Sequence, residues 1–387
     1  MTKRLNKVLF VPTNKWASWG GSELLWAQAC EMLAQTGRIK VGIHPKKWGR
    51  INPNLRRVYD SASVYERNEP SILHQLLKRL IGHNRLPPWS EKTFALCIHA
   101  FRPDLVVISQ GANTDGLEWM ESCVKYKLPF ITVSQAATES NWPDPQTSSR
   151  LQAAFSAAHL NLFVSQHNLK LTELQMGSRF HNAMVVANPF NIPFNSSVTY
   201  PGLSSECYQV ACVARLELHA KGQDALLEVL ADQKWKQRNL VVNLYGDGID
   251  RQNIERLITY FGVKEKAKLA GYLNPLEIWN QNHALILASR YEGLPLALVE
   301  AMLCARASIV TNVGGNGEVV VDGVSGFIAA APRAIYLDEA LERAWLRRTE
   351  WEAIGHKAQQ HIKTIIPEDP AKVFADLISS FESDPPL

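Results

Sequence analysis

The sequence predicts an α/β fold of two doubly wound units, each a mostly parallel sheet covered by helices on both faces. Three observations carry this. Short apolar runs alternate with helix-like stretches along most of the chain, the pattern of strands joined by helical crossovers. The alternation breaks at NPFNIPFNSSVTYPGLSSE (188–206), rich in Pro, Asn and Ser, which reads as a linker, and then restarts. A chain of 387 residues, 46% hydrophobic, can build two separate cores.

KVLFVPT (7–13) reads as a buried strand. GGSELLWAQACEMLAQTG (20–37) follows as a helix, with Ser22 as its cap and Gly37 as its stop. IKVGIHP, PDLVVISQG (103–111), PFITVSQ (129–135), LNLFVSQ (160–166) and AMVVANP (183–189) are further strands. After the break, YQVACVARL, LVVNLYGDG, AKLAGYL, HALILAS, ASIVTNVGG and SGFIAA repeat the architecture. PAKVFADLISSF forms a short helix in the polar tail. The expected division is 1–190, 191–365, and a tail 366–387 packing back on the first domain. Ligands of such sheets bind beyond the carboxyl ends of the strands, so both units should present loops to a cleft between them.

A net charge of +4 does not point to nucleic acid. The six cysteines are scattered, with no CxxC pair, which points to reduced thiols in a cytoplasmic protein and to no zinc site. Near the N-terminus the one continuous apolar run is VLFV, too short for a signal peptide. No apolar run is long enough to span a membrane. Residues 38–102 hold 13 Lys/Arg against 4 Asp/Glu. Within them, SILHQLLKRLIGHNR (71–85) sets a broad apolar side beside Lys78 and Arg79. Two expectations follow: peripheral contact with an anionic membrane or an acidic acceptor, or an ordinary domain helix with a solvated face.

Chemistry concentrates in a few places. Gly20-Gly21 lead into a helix, where backbone can approach a ligand and the N-terminus favours an anion. In VARLELHAKGQDALLEVL (213–230), Arg215 and Lys221 flank the start of a helix. Cations there oppose the helix dipole, and a bound diphosphate would resolve the conflict. YGDG (245–248) is a tight turn that fails G-x-G-x-x-G at Arg251, which weakens a dehydrogenase reading. Gly314, Gly315 and Gly317 can bring amides near a phosphate or simply turn the chain. SRYEGLPLALVEAM (289–302) carries Glu292 and Glu300, with Pro295 in the first turn of a helix. Glu300 shares a side with Leu296, Val299 and Leu303, so its carboxylate must find donors or neutralise. No Asp-x-Asp, Walker loop or G-x-S-x-G occurs. Charge neutralisation by Arg and Lys, without a metal, is expected.

Arg215, Lys221-Gly222, Gly246, Gly271-Tyr272, SRYEGLPLALVEAM and VGG…E…DGVSGF occur in that order. Together they resemble the C-terminal domain of retaining GT-B glycosyltransferases of family 4. The N-terminal GG with its helix, RPDLVVIS and VVANPFN resemble that family's first domain more loosely. The resemblance implies two Rossmann-like domains facing a cleft. It implies that Arg215 and Lys221 hold the donor diphosphate, and that Glu300 accepts from the ribose hydroxyls. Glu292, with the backbone of Gly293, Leu294, Pro295 and Leu296, would hold the donor sugar and its phosphate. Gly20 and Gly21 would close over the phosphates, and Tyr272 would lie near the base. The sequence departs from the family in two places. CARAS offers Ala305 and Ala307 where a Gly-x-Pro is usual, and Gln135 stands where many members carry a histidine near the reacting sugar. Gln135 can hydrogen-bond but cannot titrate.

The implied function is transfer of a sugar from a UDP-, GDP- or ADP-sugar to a glycan, lipid or small-molecule acceptor, with retention. No cofactor is required, and the setting is cell-envelope or polysaccharide synthesis in the cytoplasm or at the inner membrane face. Two alternatives stand beside it: a catalytically silent nucleotide- or glycan-binding protein, and a GT-B nucleotide-sugar epimerase.

Overall fold

In a computed structural model, residues 3–14, 18–67, 89–202 and 207–383 are described. The chain divides into two units, one of Met1–Pro189 with Asp369–Leu387, the other of Phe190–Glu368.

The first unit holds a parallel sheet of β2 (Lys7–Pro12), β3 (Lys40–Ile43), β4 (Ser63–Val64), β5 (Leu105–Gln110), β6 (Phe130–Ser134), β7 (Leu160–Phe163) and β8 (Ala183–Val185). Their order is β4-β3-β2-β5-β6-β7-β8. Apolar residues alternate to both faces: Val8 and Phe10 join one core cluster, Leu9 and Val11 the other. That explains why these strands read as continuous apolar runs. The helix Pro370–Ser379 belongs to this unit and buries Phe374, Ala375 and Ile378 in the cluster that holds Leu25 and Trp26. Beside it, β1 (Lys3–Arg4) pairs antiparallel with β15 (Glu382–Ser383). No sequence pattern announces β1, β4 or β15, which are two residues each and carry no apolar period.

The second unit's sheet is also parallel: β9 (Tyr208–Val213), β10 (Leu240–Tyr245), β11 (Ala267–Gly271), β12 (Ala284–Leu287), β13 (Ala307–Thr311) and β14 (Gly326–Ala329), in the order β11-β10-β9-β12-β13-β14. The chain winds outward from β9 to β11, then returns to lay β12 on the other side of β9. The strand order therefore reverses between β9 and β12, where ligands of doubly wound sheets bind.

Three expectations need correction. Ser22 is not the cap of the helix Gly21–Gln35: Gly20 is, and Ser22 donates to Glu23 instead. Pro295 caps the helix Leu296–Leu303 from outside its first turn. The stretch read as a linker is bound to the second unit from Phe190 on: Ile192 is buried, and the Arg306 guanidinium donates to the Thr199 carbonyl at 2.8 Å. The amphipathic stretch 71–85 lies outside the described residues. Among the described residues, no helix is long and apolar enough to cross a membrane.

Candidate functional site

In the second unit, the loops at the carboxyl ends of β9, β10, β12 and β13 are packed backbone to backbone. Gly222 ends the loop after β9 with φ +61, and a Cβ there would lie 2.1 Å from the Ala288 carbonyl oxygen after β12. Gly314, after β13, has φ +52 and would meet the Glu292 carbonyl oxygen at 2.3 Å. Both positions need the left-handed freedom and the missing side chain of glycine. The Gly315 amide donates to the Gly293 carbonyl, and the Thr311 hydroxyl to that of Ser289. These contacts fix the strand-reversal point as one rigid patch.

Lys221 and Glu292 meet across this patch. Lys221 Nζ donates to Glu292 Oε1 at 2.6 Å, and Ser289 Oγ donates to the same oxygen at 2.7 Å. Their side chains are 17% and 9% exposed. Glu292 Oε2 accepts nothing among the described residues. Next to Glu292, the backbone amides of Gly293, Leu294, Leu296 and Ala297 donate to nothing among the described residues. Pro295 offers no side-chain cap. The start of the helix Leu296–Leu303 thus presents free donors and the positive end of the dipole beside a lysine.

Glu300, about one turn along that helix, is 3% exposed. Its Oε1 accepts from both the backbone amide and the Nδ2 of Asn191, each at 2.9 Å. Its Oε2 accepts nothing among the described residues. Burial pushes its pKa up from 4.5 to about 7, against the opposing pull of the two Asn191 bonds. The two glutamates share one design: one oxygen is anchored, the other is left to offer.

The other expected residues are spread along the same edge. Arg215 is exposed and lies 3.0 Å from Glu217. Its carbonyl accepts from the buried Gln223 side chain, which ties it to the next helix. Arg290 pairs with Asp224 in bidentate fashion. The cations read from the sequence as unopposed are thus each matched by a carboxylate. Tyr272 is exposed at the end of β11, three strands from β12. Leu294, Pro295 and Leu296 are half-buried.

Gly20 and Gly21 belong to the first unit. Glu23, buried in the first turn of their helix, reaches back to the Gly20 backbone, so this N-terminus is already served by a carboxylate in the manner of a capping box. What the glycines offer is close backbone approach. Gln135, just beyond β6, is also in the first unit. Its Oε1 accepts from Asn188 Nδ2 at 2.7 Å, while Gln135 Nε2 and Asn188 Oδ1 are buried without partners. Asn191 and Ser289 were missed by sequence reasoning. Ser289 sits inside the motif and was readable as a short-range donor. Asn191 is 109 residues from Glu300, and no local pattern announces it.

Residues 201–361 match the family described as glycosyl transferases group 1. The matched stretch lies within the second unit. Over 113 residues the chain is 35% identical to the Vi polysaccharide biosynthesis protein VipC/TviE of Salmonella typhi, covering 27% of this chain and 20% of that one. It is 26% identical over 126 residues to an alpha-D-kanosaminyltransferase of Streptomyces kanamyceticus, covering 32% and 33%. The matched segments therefore span a third or less of these relatives. A solved structure, Anabaena Alr3699/HepE in complex with UDP, aligns over 97% of this chain and 100% of its own with a TM-score of 0.72 at 18% identity. The fold is that of the GT-B glycosyltransferases. The match of the glycosyl transferases group 1 domain contains the loops of Lys221, Glu292 and Glu300.

Proposed function

We propose that the protein is a glycosyltransferase that moves a sugar from a nucleotide-sugar to an acceptor, with retention and without a metal. The observation that carries this is the pair of half-satisfied glutamates around the free N-terminus of the helix Leu296–Leu303. A nucleotide-sugar offers what each group lacks. Ribose hydroxyls donate to Glu300 Oε2, sugar hydroxyls donate to Glu292 Oε2, and the diphosphate accepts from the free amides and from Lys221. Arg215 adds a second cation at the same edge. Negative charge grows on the diphosphate as the glycosidic bond breaks, and fixed donors aimed at it stabilise that state most. Lysine, arginine and backbone amides then do the work a divalent ion would otherwise do. Tyr272 would lie toward the base. The likeness to proteins named for polysaccharide synthesis and sugar transfer, and to a structure holding UDP, supports a UDP-sugar as the first donor to try.

The test is a thermal-shift panel of UDP-, GDP- and ADP-sugars, followed by release of the nucleoside diphosphate from whichever ligand stabilises the protein. Stabilisation by one of them with slow turnover supports the reading. Stabilisation without turnover in any acceptor mixture favours a silent binding protein.

A further inference from the structure

Every cation around the second unit's strand-reversal point is already matched by a carboxylate: Lys221 by Glu292, Arg215 by Glu217, Arg290 by Asp224. The Lys221–Glu292 pair is the least exposed of the three. It is also reinforced by Ser289, which donates to the same carboxylate oxygen. We propose that Glu292 is a selectivity residue that makes the site prefer a sugar-bearing diphosphate to the bare nucleoside diphosphate.

The inference rests on the reading of Lys221 as a phosphate-holding residue, and charge carries it further. In a nucleotide-sugar both phosphates are esterified on each side, so each bears one negative charge. The terminal phosphate of a free nucleoside diphosphate ionises a second time with a pKa near 6. The extra charge sits on the oxygen that the sugar occupied, beside Lys221. An unmatched lysine would bind that trianion more tightly than the donor and hold the product. Glu292 cancels the lysine's advantage and repels the added charge across a few ångströms of half-buried space. Toward the intact donor the same carboxylate is attractive, because Oε2 is free to accept sugar hydroxyls. One residue thus favours donor entry and product exit.

Calorimetric titration of UDP, UDP-glucose and inorganic pyrophosphate into the parent, Glu292→Gln and Lys221→Met proteins tests this. Pyrophosphate has neither base nor sugar, so it reads the Lys221 environment whatever nucleotide the protein prefers. Glu292→Gln should bind pyrophosphate and UDP about tenfold more tightly, with UDP-glucose unchanged or weaker, as expected for removing one nearby like charge. Glu292→Ala should move the same way, should the glutamine variant melt early. If neither variant binds pyrophosphate or UDP more tightly, while Lys221→Met loses them, the selectivity role is overturned and Lys221 stands as the phosphate ligand. If Lys221→Met binds all three as the parent does, the phosphate role of Lys221 is wrong and the selectivity role falls with it.

Discussion

Glu300 is a buried carboxylate held by one asparagine, and its raised pKa ties stability to pH. Between 4.5 and about 7 the folded protein holds a proton that the unfolded chain releases. Stability from this residue is therefore greatest below pH 4.5, falls as pH rises to about 7, and is flat above. The shift corresponds to about 3 kcal/mol at most, at about 1.4 kcal/mol per pH unit. Glu300→Gln removes that decline, so denaturant unfolding across this range should fall less steeply with pH in the variant. The same substitution should weaken nucleoside diphosphate binding by at least about tenfold, since a neutral amide oxygen is a poorer acceptor for ribose. Glu292→Gln should instead lower turnover, because it loses a charged acceptor for the sugar hydroxyls and holds the nucleoside diphosphate product longer. The position of Glu300 on an apolar side was legible in the sequence. Its partner was not, because Asn191 lies in a stretch whose composition reads as linker, and composition says nothing of a contact 109 residues away.

At the scale of elements, the turn after the helix Leu296–Leu303 is sharp although it contains no glycine. Ala305 takes φ +55, and the Arg306 amide donates back to the Ala301 carbonyl at 2.9 Å, the closure of a helix ended by a left-handed residue. Alanine in that conformation costs roughly 1–2 kcal/mol, partly offset because glycine loses more entropy on folding. Ala305→Gly should therefore raise the melting temperature by about 2 °C, a net gain of about 0.5–1 kcal/mol. Gly222→Ala should do the opposite and sharply, because the Ala288 carbonyl oxygen is 2.1 Å from the new Cβ. The long strands were readable because both faces of each sheet are covered, which forces continuous apolar runs. The two-residue strands and the true cap of the helix Gly21–Gln35 were not, since backbone pairing and a glutamate turning back on its own helix leave no period.

At the scale of the molecule, two devices hold the units together internally. Arg306, 1% exposed, donates to the carbonyls of Trp279, Asn282, Cys304 and Thr199. Replacing it with Met strands those acceptors and should cost about 3–5 kcal/mol of unfolding free energy by chemical denaturation. The chain's return to the first unit through Pro370–Ser379 fills that unit's core with Phe374 and Ile378. Removing residues 369–387 should lower that unit's melting transition and expose dye-binding apolar surface. The basic stretch 38–102 is proposed to give peripheral contact with an anionic membrane. Co-sedimentation with phosphatidylserine vesicles at low salt, lost at high salt, is the expected result.

The second unit is proposed to hold a nucleotide-sugar through its two glutamates, and the protein to transfer the sugar without a metal. The most direct measurement is nucleoside diphosphate release from the stabilising nucleotide-sugar, in chelator, by the parent and by Glu300→Gln. The parent should turn over in EDTA, and Glu300→Gln should show a KM for donor raised at least about tenfold. Activity lost in EDTA and restored by magnesium or manganese, or a Glu300→Gln protein with the parent's donor KM, would contradict it.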